Sequence, residues 1–103
     1  MKKVMIFTTE TKSKFLKMGF EEIREYLKGP IETVAINNEN GLFLIVNENG
    51  RYECEPKWAL LKDGRTIVIY GDIVVAKIKK GEIVDIGKND FKNSEIILHQ
   101  IAS

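Results

Sequence analysis

The chain has 103 residues, 44% of them hydrophobic and 30% charged, with 16 Lys and Arg against 15 Asp and Glu. That length suits a single domain, residues 1–103, built on one core, and the apolar share argues against disorder. A formal charge of +1 supplies no global field toward nucleic acid or an anionic membrane, and one Cys with one His leaves little material for a disulfide, a metal site or a catalytic dyad.

Lys2-Lys3 ahead of Val4-Met5-Ile6-Phe7 has the outline of a signal peptide. The run stops at Thr8-Thr9-Glu10, short of the roughly seven to fifteen apolar residues of a signal core. Nothing approaches the roughly eighteen of a membrane span. Val4 to Thr8 and Lys14 to Met18 predict a first pair of strands, with Phe15 on one face and Leu16 and Met18 on the other. Phe20, Ile23 and Leu27 then fall at helical spacing, which predicts an amphipathic helix of about two and a half turns. Gly29-Pro30 ends it, Gly taking the left-handed cap. Beyond Ile31 the pattern is strand and turn. Asn-Glu-Asn-Gly occurs at residues 38–41 and again at 47–50, and each copy predicts a hairpin turn. Arg51 to Glu55 reads as a short strand broken at Pro56, Lys57 to Leu61 as a connection or one helical turn, and Asp63-Gly64 as another turn. Thr66 to Tyr70 and Asp72 to Lys79 are predicted strands separated by a kink at Gly71, and Lys80-Gly81 turns into Glu82 to Ile86. Ser94 is placed to cap a short helix, Glu95 to Ile101. The fold class expected is α+β: an antiparallel β-meander of hairpins packed on one amphipathic helix, with a short C-terminal helix.

Chemistry is sparse. Cys54 lies between Glu53 and Glu55, which would raise a thiol pKa and disfavour a nucleophile; a lone cysteine fits a reducing, cytoplasmic setting. His99 has neither a nucleophile nor an orienting partner in view. Cys54 and His99, 45 positions apart, do not make a zinc site, and the Asn-Glu-Asn-Gly turns lack the acids of a calcium loop. Glu21-Glu22 and the Glu53/Glu55 pair have no aligned sugar cleft implied around them, and no glycine pattern forms a phosphate loop. The expectation is a protein that is not an enzyme and takes neither cofactor nor metal.

Charge is unevenly spread. Residues 1–30 carry seven basic and four acidic groups, residues 31–63 three and six, residues 64–103 six and five. Lys12, Lys14 and Lys17 cluster in the first hairpin. They suit a strand edge guarded by lysine, the preferred reading, with contact to single-stranded nucleic acid as the alternative. The stretch from Arg51 to Leu61 holds the only Trp, and Arg51, Tyr52, Lys57 and Trp58 are residue types that bind partners or nucleotides. Trp58 is also large enough to plug a small core. Arg65 and Tyr70 extend the candidate ligand- or partner-binding set.

The order of motifs resembles a known family. Leu27-Lys28-Gly29-Pro30-Ile31-Glu32 resembles the Val-Gly-Gly-Tyr-Ile-Glu element of the domain of unknown function 3846 family, with Lys28 in place of its first glycine. Ile45 to Arg51 is similar to that family's strand ending in Asn-Glu-x-Gly-Lys. Glu55-Pro56-Lys57-Trp58-Ala59-Leu60 is similar to its Pro-Asn-x-x-Ala/Leu connection, with Lys57-Trp58 replacing Asn-Arg. Ile69 to Val75 resembles its Ile-x-Gly-x-hydrophobic strand, and Asp90-Phe91 its usual ending; the likeness runs from about residue 15 onward. The resemblance implies a small accessory protein of bacteria, phages and plasmids with no assigned reaction. The expected function is a non-enzymatic binding protein of a phage or mobile element, a counter-defence protein that captures a host protein or a nucleotide signal. The alternative is a single-stranded nucleic-acid-binding accessory protein. No membrane partner is expected, and exposed strand edges favour a homodimer.

Overall fold

The computed structural model describes residues 2–7, 13–37, 40–62, 64–87, 89–90 and 97–100. Lys12 and Ser94, both singled out from the sequence, lie outside the described residues. Strand β1 (Lys2–Phe7) pairs antiparallel with β2 (Ser13–Met18), Val4 opposite Leu16 and Met5 opposite Phe15. Helix α1 (Phe20–Leu27) follows, with Glu21 and Glu22 in its first turn, where the helix dipole favours them. Its left-handed cap is Lys28, at φ 62°, and not the glycine expected from the sequence. β3 (Ile31–Asn37) and β4 (Leu42–Asn47) form the predicted hairpin, with a bulge between Ala35 and Asn37.

Three segments depart from expectation. Arg51 to Glu55 is not a strand: residues Gly50–Glu53 make a single helical turn, α2, in which the Cys54 N–H donates to the Gly50 carbonyl at 2.7 Å. Lys57 to Leu61 is neither connection nor helix but belongs to strand β5 (Pro56–Lys62). Trp58 and Leu60 point into the core while Ala59 and Leu61 are more open, the period of two that a strand imposes. Pro56 sits at the strand's first residue, the usual place in a strand for a residue without an N–H. The C-terminal helix is also overturned. Ile97–Gln100 is strand β9, paired antiparallel to β5 with Leu98 opposite Leu60. A short apolar run fits either period, and the open edge of β5 supplies hydrogen-bond partners that settle it as strand.

β6 (Arg65–Tyr70), β7 (Val74–Lys79) and β8 (Glu82–Val84) complete the elements. They form no simple meander. The larger sheet has the order β2-β1-β7-β4-β3 with β8 also on β7, and the smaller has the order β6-β5-β9. β7 thus enters between β1 and β4, which precede it in sequence by some thirty to seventy residues. The protein is mostly antiparallel sheet with two short helices, an α+β fold.

Alternation along the larger sheet separates two buried clusters. Val4, Ile6, Ile45, Val74 and Ala76 bury with Ile23 and Leu27 of α1. Met5, Leu42, Leu44 and Val75, from the other face, bury with Trp58, Leu60 and Ile69 of the smaller sheet.

β1 is tied to the segment after β8 by polar bonds. The Lys3 N–H donates to Asp85 Oδ1 at 2.7 Å and the Ile86 N–H to the Lys3 carbonyl at 3.1 Å. Asp90 accepts from the Gly87 N–H at 2.6 Å and from Lys77 Nζ at 3.2 Å. These backbone donors hold both carboxyls below their usual range, helped at Asp85 by Lys2, Lys3 and Lys17 and at Asp90 by Lys77. The stability they add is complete above the ordinary carboxylate pKa of about 4 and is lost as pH falls through their lower folded values. A urea midpoint followed from pH 6 to pH 2 should therefore drop more steeply for the native protein than for an Asp85→Asn, Asp90→Asn variant. Parallel curves would show that neither aspartate contributes.

Candidate binding face

A sheet three strands wide cannot cover one five strands wide when neighbouring strands are spaced about 4.8 Å apart. Among the described residues, one uncovered part is the β3–β4 corner beside β6, where β6 ends its sheet. Here lies a cleft of about 390 Å³. Its floor is Val34 of β3 with Val46 of β4, its wall is Ile67 to Tyr70 along β6, and Gly50 and Arg51 of α2 close one end. Val34, Val46 and Ile67 are only partly buried, and Val68 keeps 45% of its surface exposed. Glu32 and Glu48 face a single Arg51 around the rim, so the cleft is apolar in its floor and acidic at its edge.

α2 is docked tightly against the end of β6. A Cβ at Gly50 would stand 2.8 Å from the Tyr70 carbonyl oxygen, so only glycine lets the turn approach this closely. Asn47 anchors the same turn from the other side. Its Nδ2 donates to the Leu27 carbonyl at 2.9 Å, and its Oδ1 accepts the Asn49 N–H at 2.8 Å. Asn47 is the one described polar residue in the buried class, and it joins the end of α1, the end of β4 and the start of α2. Asn47→Ala should cost about 1–3 kcal/mol, since the buried Leu27 carbonyl and the part-buried Asn49 N–H both lose their bond. A change in the denaturation midpoint below about 0.5 kcal/mol, within the range of an ordinary surface substitution, would remove this role.

A second hollow of about 380 Å³ lies on the far side of α2, lined among others by Tyr26, Lys28, Glu53, Cys54, Lys57 and Asp72. Lys57 Nζ is 2.5 Å from Asp72 Oδ1. Burial pushes the Tyr26 phenol up from its usual pKa, and the Asp72 charge adds to the shift while Lys57 opposes it.

The structure distributes the predicted site residues unequally. Arg51 and Tyr52 project from α2, the guanidinium 5.6 Å from the Tyr52 ring centre, and Tyr52 is 80% exposed. Tyr70 lines the cleft beside them. Lys57 belongs to the second hollow, and exposed Arg65 starts β6, about 17 Å along the strand from Tyr70. Trp58 is 1% exposed in the core between the two sheets, so its ring is not at the surface. Lys14 and Lys17 are exposed on the edge strand β2 but three residues apart, hence on opposite faces. Lys3 and Phe15 share the Lys17 face, with Lys3 Nζ 5.6 Å from the Phe15 ring centre.

Sequence reasoning missed Glu32, Val34, Val46 and Val68. Nothing in a strand's own pattern says that it ends a sheet, so no local signal marked them. Asn47 did have a signal, the repeated Asn-Glu-Asn-Gly, which was read only as a turn. Among the described residues no group of three or more His, Cys, Asp or Glu side chains is placed to hold a metal ion, and no helix is long and apolar enough to cross a membrane.

Fold and cleft together define a two-sheet α+β protein with an open groove along one strand edge. The chain belongs to the family described as Domain of unknown function (DUF3846), which matches residues 1–97 and so includes the first hairpin. No curated protein and no solved structure matches it.

Proposed function

We propose that this chain is a small non-enzymatic binding protein that captures a partner protein on the face formed by α2 and the adjoining cleft. The single observation that carries the reading is Tyr52, 80% exposed on a turn anchored by Gly50 and Asn47, with Arg51 against its ring. Tyr and Arg are the residue types most enriched at interface hot spots, and a rigid mounting lowers the entropy lost on binding. A nucleotide signal is the weaker choice for this face, because Glu32 and Glu48 on the rim repel phosphate. The phage or mobile-element setting is proposed with it on the family resemblance, and action in the cytoplasm on the unpaired Cys54; a counter-defence role is proposed as the use such a binding protein would serve in that setting.

The test is affinity capture from cells expressing the protein, comparing the native chain with an Arg51→Ala, Tyr52→Ala variant and with a Lys14→Ala, Lys17→Ala variant. Partner recovery should fall at least about tenfold in the first, the effect of losing a contact worth about 1.4 kcal/mol or more. It should be unchanged in the second. The opposite pattern, with retention that collapses as salt rises, would replace this reading with single-stranded nucleic-acid binding.

A further inference from the structure

We infer that the cleft takes one extended polypeptide segment, which adds as a fourth strand beside β6 with apolar side chains turned down onto Val34 and Val46 and a Lys or Arg at the end nearer α2. The inference rests on the partner-capture reading above and specifies what is captured and how.

Three observations carry it. The first is the state of the sheet edges. β2 carries exposed Lys14 and Lys17, and β3 is interrupted by its bulge, both common protections against strand pairing. β6 has a charge only at Arg65; from Thr66 to Tyr70 it has neither charge nor proline, and Val68 is 45% exposed. Such an edge is a template for strand addition. The second is the floor. Glu32 lies opposite Val46, and Val34 opposite Leu44, so Glu32, Val34 and Val46 share the face toward the smaller sheet. A strand beside β6 would set every second side chain onto them. Near α2 the rim sets Glu32 and Glu48 against the single Arg51, an excess of one negative charge that favours a cation there.

The third is steric. The edge of a folded two-layer protein, β6 of a second copy included, brings its own second layer. The β3–β4 corner extends under the edge of β6, so a second layer on that side would meet it whereas a lone strand would not. Together these features fit a tail or loop segment that is unstructured until bound, with apolar residues at alternate positions and a basic residue at one end.

Two synthetic peptides provide the probe, each alternating threonine with valine, one ending in lysine and the other in glutamate at an inward position. Amide and methyl chemical shifts of the full chain are followed by NMR during titration. The lysine peptide should shift amides within Thr66 to Tyr70 and the methyls of Val34 and Val46, and bind about fivefold tighter than the glutamate peptide, as expected for a rim charge contact. A Glu32→Lys, Glu48→Lys variant should reverse that preference. Equal affinities, or shifts lying elsewhere, overturn the inference. Concentration-dependent shifts of the β6 amides without peptide also overturn it, since the occupant would then be a second copy. Capture that depends on Arg51 and Tyr52 while β6 stays unshifted with the partner bound would leave the binding face standing and dismiss only strand addition.

Discussion

Trp58→Ala should cost about 3–5 kcal/mol, a large part of the 5–15 kcal/mol that holds a domain of this size together. Trp58 is 1% exposed and packs among Met5, Leu42, Leu44, Leu60 and Ile69, so truncation opens a cavity between the two sheets. Read from the sequence as a partner contact beside Lys57, the same residue would be removable with the fold intact. The two accounts give opposite results in one experiment. A urea midpoint and far-ultraviolet dichroism of Trp58→Ala decide between them, with Lys57→Ala alone as the companion. A fully folded Trp58→Ala protein that had lost its partner would return Trp58 to the binding face. Trp58→Phe, which keeps most of the volume, should lose much less.

Gly41→Val should destabilise by about 3 kcal/mol, from two causes that add. Gly41 has a φ of +70°, a region that costs a residue with a Cβ about 1–2 kcal/mol. A Cβ there would also stand 2.5 Å from the Ile78 carbonyl oxygen, and a backbone atom cannot move aside cheaply. Overpacking of that kind adds about 1–3 kcal/mol. The clash falls on the join between β4 and β7, where the Ile78 N–H donates to the Gly41 carbonyl at 2.7 Å. Gly64 and Gly81 provide the control. Both have positive φ, at +73° and +76°, but nothing lies within 4 Å of an added Cβ. Gly81→Ala should therefore show the conformational cost alone, about 1–2 kcal/mol. If Gly41→Val is no worse than Gly81→Ala by denaturant unfolding, the close approach is not what constrains residue 41.

Local elements were legible where one signal dominated. Phe20, Ile23 and Leu27 gave α1, and Asn-Gly at 40–41 gave the turn between β3 and β4, because helical spacing and tolerance of positive φ are properties of adjacent residues. The failures share a cause. Residues 57–61 and 97–100 are short runs whose period is ambiguous; the first became a strand between β6 and β9, the second by pairing with β5. Arg51 to Glu55 lost its expected strand to α2, where Gly50 lets the turn sit against Tyr70. For the site, Arg51, Tyr52 and Tyr70 were found as residue types and the structure brings them to one face. Trp58 was found by the same reasoning and belongs to the core.

What the sequence by itself determined is the α+β class, the helix and the hairpin turns at Asn40-Gly41 and Lys80-Gly81, since these follow from neighbours a few residues apart; the second Asn-Glu-Asn-Gly, at 47–50, makes no hairpin and leads into α2. Only the tertiary structure decided that β7 runs between β1 and β4 and that, among the described residues, the smaller sheet leaves the β3–β4 corner open with β6 ending its sheet beside it. Those are relations between segments far apart in the chain, set by which apolar faces can be covered together, and a strand's own residues carry no mark of which neighbour, if any, will lie beside it.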